Sequence, residues 1–247
     1  MSLESSGIYL FFIILPVISF LYASVGHGGA SGYLALMALF SFTPEVMKPT
    51  ALLLNLFVAG ISFYHYYRQG HFNGDLFLSF AIASIPMAFL GGIFDIDATL
   101  YKKILGVLLF FAVLKMLNVF GKEREHIKPV VTWQGLIIGG LIGFFSGLIG
   151  IGGGIILTPV ILLLHWGNMK QAAAVSALFI WVNSAAGLIG QVSTGVTFSS
   201  KSFLMVAIAV VGGFMGAYLG SKRFSHTRLK QLLAVVLIMA SIKLFWI

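Results

Sequence analysis

Long apolar runs, almost free of charge, recur along the whole chain and constrain its fold more than any other feature. Ten of them cover about 8–25, 31–43, 46–67, 75–94, 99–119, 134–149, 155–166, 170–194, 202–220 and 228–247. Several reach the roughly 20 residues that a helix needs to cross a hydrocarbon core of about 30 Å. The apolar residues are contiguous, as in Leu53-Leu54-Asn55-Leu56-Phe57-Val58-Ala59, so the in-out alternation of a membrane β-barrel is excluded. Only 9% of the 247 residues carry charge and 59% are hydrophobic, against roughly 25% charged in an ordinary soluble domain. Such a chain cannot cover a globule with polar surface. A soluble enzyme, a disordered protein and a nucleic-acid module are excluded. The expected fold is all-α and polytopic, with the lipid bilayer as its solvent.

The net charge of +8 does not point to nucleic acid. Lys and Arg sit in the short gaps between apolar runs, as the loops of membrane proteins require. The absence of cysteine excludes disulfides, thiol nucleophiles and thiolate metal sites. The first seven residues contain Glu4 and no basic residue, so the first run is read as a retained helix and not as a secretory signal.

The chain is written twice. The polar stretch 121–132 separates an N-terminal transmembrane repeat, 1–120, from a C-terminal one, 133–247. Gly26-His27-Gly28-Gly29-Ala30 corresponds to Gly150-Ile151-Gly152-Gly153-Gly154. Ser19 and Ala23 correspond to Gly143 and Gly147, and Ser84, Ala88 and Gly92 to Gly212, Gly216 and Gly220. Small residues at every fourth position let helix backbones approach closely. With an odd number of crossings per half, ten basic residues, among them Arg68, Lys128 and Arg223, fall on one side; Lys48, Lys102, Lys103, Lys201 and Lys243 fall on the other. An even number divides them almost equally. The charge bias therefore favours inverted repeats of five segments each, with the N-terminus outside. The second segment of each half is short. Residues 31–43 give about 20 Å of helix, either a half-helix returning from a turn inside the membrane or a helix across a locally thinned region, and the glycine cluster just before it favours the first.

The glycine clusters are the motifs that carry chemistry. Successive glycines forfeit about 1 kcal/mol each of helix propensity, so the helix breaks there. Broken backbone inside lipid survives only where protein buries it or where it lines a polar cavity. Its free N–H groups, at the start of the next helix, form an anion site. Two such turns meeting near the midplane would enclose one anion, a recurrent transporter device. The candidate binding residues are Gly26, His27, Gly28 and Gly29 with Gly150, Gly152, Gly153 and Gly154. Polar residues inside the third segments join them: Asn55, Ser176 and Asn183, with Ser184 and Gln191 as further polar groups at membrane depth, which either glue helices together or line a pathway, Asn55 and Asn183 being the better pathway candidates by their mid-helix position. His27 is the one titratable residue inside either turn and is read as a neutral hydrogen-bonding group. All seven acidic residues fall outside or at the edges of apolar runs, which disfavours a cation pathway. Lys48 and Lys170 open the third segments, where they either draw anions toward a vestibule or simply snorkel. Trp133, Trp166 and Trp246 sit at segment ends as an interfacial belt, and Trp181 lies in mid-helix. No metal-ligand spacing and no nucleophile elbow stands out around Ser146. The expectation is a protein with no enzymatic activity, no catalytic residue, no metal and no cofactor.

At these residues the chain resembles a known family. Ser146-Gly147-Leu148-Ile149-Gly150-Ile151-Gly152-Gly153-Gly154, with the apolar run ending Thr158-Pro159, is similar to the glycine-rich opening of TauE/SafE proteins, the sulfite exporter or toluene-sulfonate permease family. The helix ending Gly216-Ala217-Tyr218-Leu219-Gly220-Ser221 and the stretch Arg228-Leu229-Lys230-Gln231-Leu232-Leu233-Ala234 add to the likeness, which runs along nearly the whole chain. The first turn departs from the fuller glycine pattern at His27 and Ala30. The resemblance implies a permease of the bacterial inner membrane that moves small sulfur-containing anions such as sulfite, sulfonates or sulfoacetate. It implies a small anionic substrate and no nucleotide cofactor. The expected partners are that substrate and the lipid bilayer, without nucleic acid, and a homodimer stays open. The alternatives are a passive anion channel and an uptake permease for another small anion.

Overall fold

The structure is a computed structural model, and it describes residues 5–24, 28–116, 127–198, 200–220 and 226–246. Among these every regular element is an α-helix. In chain order they are α1 (Ser5–Ser24), α2 (Ala30–Leu39), α3 (Pro44–Arg68), α4 (Gly74–Ile93), α5 (Ala98–Met116), α6 (Thr132–Ile149), α7 (Gly154–Leu163), α8 (Met169–Ser193), α9 (Ser200–Gly220) and α10 (His226–Trp246). Each of the ten apolar runs became one helix. Local chemistry sets several ends. The Asn73 side chain accepts from the N–H of Leu76 at the start of α4. Asn168 and Gln171 form a reciprocal capping box at the start of α8. Gly150 and Gly153, both with positive φ, end α6 and open α7.

The lengths repeat as well. Both α2 and α7 have 10 residues, and both α3 and α8 have 25. Six helices, α1, α3, α4, α6, α8 and α9, are long and apolar enough to cross a membrane. At 10 residues, α2 and α7 reach only about 15 Å, half of a hydrocarbon core. That length matches the half-helix expected of the second segment in each half.

The five-helix halves interlock. The first helix of each packs along the fourth helix of the other, α1 on α9 and α6 on α4. The third helices, α3 and α8, cross at the centre, and α5 lies along α10. The small residues make the first two contacts. A Cβ added to Gly139, Gly143 or Gly147 of α6 would collide with the carbonyl oxygens of Phe80, Ser84 and Ala88 of α4. One added to Gly212 or Gly216 of α9 would meet those of Pro16 and Phe20 of α1. The spaced small residues are therefore the surfaces on which backbones touch, where dispersion and not water-driven burial holds helices in lipid.

Leu, Ile, Val and Phe side chains project outward from α1, α4, α6, α9 and α10, as in Ile82, Leu141, Phe214 and Ile242. Bilayer is the solvent that such a surface fits. Trp133 and Trp246 are exposed at helix ends, as a belt requires. Trp166 departs from that expectation. It is 3% exposed and packs on Phe80, with ring centroids 5.7 Å apart. Trp181 is 42% exposed and lies over Gly60, so it belongs to the outer face of α8.

Candidate functional site

The glycine turns come together. Gly28, two residues before α2, faces Asn55 and Ala59 of α3 and Ile180 of α8; a Cβ added there would lie 3.3 Å from Asn55 Oδ1 and 3.0 Å from Ile180. Gly152, two residues before α7, faces Ile180 and Ser184 of α8 and Asn55 of α3; an added Cβ would lie 2.5 Å from Asn55 Nδ2 and 3.3 Å from Ser184 Oγ. Asn55 and Ile180 are each the twelfth residue of a third helix, and Ala59 and Ser184 each the sixteenth. Each turn thus touches the twelfth and sixteenth positions of its own half and the twelfth of the other. Both turns share one small neighbourhood, with Asn55 on one side and Ile180 on the other.

Backbone conformation explains why these positions are glycine. Gly29, Gly150, Gly152 and Gly153 all have φ between +75° and +93°, a region that costs an L-residue with a Cβ about 1–2 kcal/mol. Gly153 packs on Ile142 and Phe179, and Gly154 on Ile180 and the carbonyl of Ser176. Gly29 and Gly153 are the N-cap residues of α2 and α7, and no side chain caps either helix. The first N–H groups of a helix have no intrahelical acceptor, and the macrodipole leaves that end positive.

The polar side chains here are buried. Asn55 Nδ2 donates to Ser184 Oγ at 3.2 Å, linking the two third helices. Asn55 Oδ1 has no partner among the described residues. Asn183 Nδ2 donates to the Phe179 carbonyl at 2.8 Å, one turn back, and its Oδ1 is likewise unpartnered. Ser176 Oγ is 2.8 Å from Thr158 Oγ1 and so ties α8 to the half-helix α7. On the other side, Tyr22 accepts from Ser31 at 2.8 Å, and Tyr33 lies 3.0 Å from Ser19, tying α2 to α1. Unpaired buried amides are expensive, and a native one calls for a reason. Asn55 is the one placed between the turns.

Of the residues singled out in the sequence, Gly28, Gly29, Asn55, Gly150, Gly152, Gly153, Gly154 and Ser176 stand at or beside this junction. Asn183 lies one turn from Ile180 on α8, with its amide engaged by its own helix. Gly26 and His27 lie outside the described residues. Ile180, Thr158 and the pairing role of Ser184 were not anticipated. An isoleucine in an apolar run carries no signal, and only its position opposite Asn55 reveals it.

Two cavities lie at matching places. One, of about 290 Å³, is lined by the beginning of α1, the α2–α3 loop with Ser41 and Thr43, and Lys201 at the beginning of α9. The other, of about 490 Å³, is lined by Thr132 at the beginning of α6, Trp166 in the α7–α8 loop, Asn73 and Asp75 at the beginning of α4, and Lys128. The first reaches Phe40, the C-cap of α2, and the second reaches Trp166, two residues past the C-cap of α7.

The family model described as "Sulfite exporter TauE/SafE" matches residues 10–244, and so spans both turns and reaches into every helix above. The chain belongs to the sulfite exporter TauE/SafE family. Among curated relatives, "Probable membrane transporter protein y4hK" of Sinorhizobium fredii is 36% identical over 251 residues, covering 100% of both chains. "Probable membrane transporter protein YunE" of Bacillus subtilis is 25% identical over 267 residues, covering 95% of this chain and 97% of its own. "Probable membrane transporter protein YjnA" of the same organism is 27% identical over 242 residues, covering 89% and 92%. No solved structure matches. As a TauE/SafE member with six helices able to span a bilayer, the chain is a multi-pass membrane transporter of the bacterial plasma membrane.

Proposed function

We propose that this transporter is a secondary carrier of small sulfur-containing anions, sulfite and sulfonates such as sulfoacetate, bound between the two glycine turns. The convergence of both turns on Asn55 and Ile180 carries the reading. Two helix N-termini aimed at one place stabilise a negative guest, each by about 0.3–2 kcal/mol. The guest would take hydrogen bonds from turn N–H groups and from the Asn55 and Ser184 side chains. Neutral donors suit a carrier, because a guest must enter and also leave. Such donors need neither metal nor cofactor.

The halves serve as inverted repeats in this reading. The beginnings of α1, α3 and α9 gather at one cavity and those of α6 and α4, with the α7–α8 loop, at the other. That grouping supports opposite orientations and gives each membrane face a mouth. Rocking of one set of helices against the other would then open the turns to each cavity alternately. The burial of Asn55 and Ser184 favours this carrier over an open channel.

The test is flux of radiolabelled sulfite and sulfoacetate in proteoliposomes. Saturable flux is expected, and Asn55→Leu should reduce it about tenfold or more while the helical circular dichroism persists, since it deletes a charge-assisted hydrogen bond. Wild-type protein that moves no sulfite and no sulfonate would end the proposal. Single-channel currents would redirect it to a channel.

A further inference from the structure

Two lysines open the third segments, and the fold treats them differently. Lys170 is exposed at the start of α8. Lys48 is drawn inward, with its side chain 10% exposed. Its ammonium lies 3.2 Å from Asp95 Oδ1, the one ion pair among the described residues, and 5.3 Å from the centre of the Tyr101 ring. Tyr101 in turn donates to the carbonyl of Ile149, the last residue of α6. Gly150, the first residue of the second glycine turn, rests on the backbone of Lys48, where an added Cβ would lie 2.9 Å from the carbonyl oxygen. The backbone of Lys48 thus touches that turn, and its ammonium lies over the tyrosine ring whose hydroxyl bonds the residue before the turn. The counterpart of Lys48, the fifth residue of α8, is Ala173, so this cation serves one turn only.

The two partners are unequally placed. A nearly buried ammonium needs a counter-ion, because its hydration is largely lost. The carboxylate that supplies it is 94% exposed on the α4–α5 loop and keeps most of its own hydration. Releasing Asp95 to water therefore costs little, provided that another anion takes its place at Lys48. Tyr101 below and α3 behind hold the ammonium in position meanwhile.

We propose that Lys48 is an oxyanion-binding position at the mouth of the second glycine turn, and that Asp95 occupies it as a built-in stand-in until a substrate anion displaces it. This deepens, and rests on, the reading of the turns as an anion site. The ligand class is a small oxyanion presenting a sulfite-like or sulfonate oxygen to the ammonium. Asp95 then acts as a competitor that sets how readily the mouth accepts an anion.

The two partners must show effects of opposite sign. Sodium sulfite is titrated into the full-length protein in detergent and followed by calorimetry and thermal shift. Asp95→Asn, which keeps an acceptor for the Ile96 N–H, is expected to tighten sulfite binding roughly twofold to fivefold. Lys48→Gln is expected to weaken it about tenfold or more, and Lys48→Arg to restore most of it. A gain of affinity cannot come from misfolding, so Asp95→Asn decides the matter even if Lys48→Gln is unstable. If Asp95→Asn weakens binding or leaves it unchanged, the pair is a structural clamp and the proposal is overturned. Asn55→Leu is measured alongside. Binding that needs Asn55 but ignores Asp95 removes this proposal alone, whereas wild-type protein that binds no sulfite removes both.

Discussion

At the scale of single residues, the site depends on atoms that are missing. Gly152 and Gly195 both have positive φ, +75° and +92°, but differ in surroundings. Nothing lies within 4 Å of a Cβ added at Gly195, whereas one at Gly152 would strike Asn55 Nδ2 and Ile180. Gly195→Ala should therefore cost roughly 1–2 kcal/mol of conformational strain alone and leave transport unchanged. Gly152→Ala should carry the same strain, displace the Asn55 amide and abolish saturable transport. Thermal unfolding in detergent, paired with proteoliposome flux, separates the two. If both variants transport equally, the turn does not contact the guest. Hydroxyls at this scale act mainly as ties. Ser176 is committed to Thr158 and Ser31 to Tyr22, which leaves Asn55, whose Nδ2 has a second N–H beyond the one given to Ser184, as the side chain best placed to donate to an anion.

Among elements, the half-helices need anchors because they are too short to be held by span length. The two are anchored differently. At the C-terminal end of α2, Lys243 of α10 donates to the carbonyl of Leu39 at 2.7 Å and to Ser41 Oγ at 2.8 Å, placing a cation where the macrodipole is negative. After α7 the chain is tied differently, by the Lys128 N–H donating to the His165 carbonyl at 2.7 Å. The longer helices are held by backbone proximity. Gly143 contacts the backbone of Ser84 so closely that no side chain fits. Gly143→Val should push α6 from α4 and destabilise the protein by about 1–3 kcal/mol, read as a lower melting temperature. An unchanged melting temperature would mean that the α4–α6 contact is looser than described.

For the whole molecule, the interlocked halves make a topological prediction. Gln69 and Thr194 are the exposed C-cap residues of α3 and α8 and occupy matching places. Because the chain has no cysteine of its own, Gln69→Cys and Thr194→Cys can each be labelled singly. A membrane-impermeant maleimide on oriented vesicles should reach one of them from outside and the other only after permeabilisation. Labelling of both from one side would make the repeats parallel. The sequence by itself determined that the chain lives in a bilayer, how many helices it has, where two of them fall short and which positions lack side chains. Each of these follows from the length of an apolar run or from local glycine chemistry, and both are properties of neighbours along the chain. It also carried the periodic small residues, but not their partners. Only the tertiary structure decided that α1 pairs with α9 and α6 with α4, that Trp166 is buried and Trp181 is not, and that Lys48 is drawn inward while Lys170 stays exposed. It alone set Asn55 against an unremarked isoleucine from the other half. Lipid solvates every apolar face equally well, so hydrophobicity along the chain cannot select which faces meet; that choice falls to the fit of backbone against backbone across residues far apart in sequence.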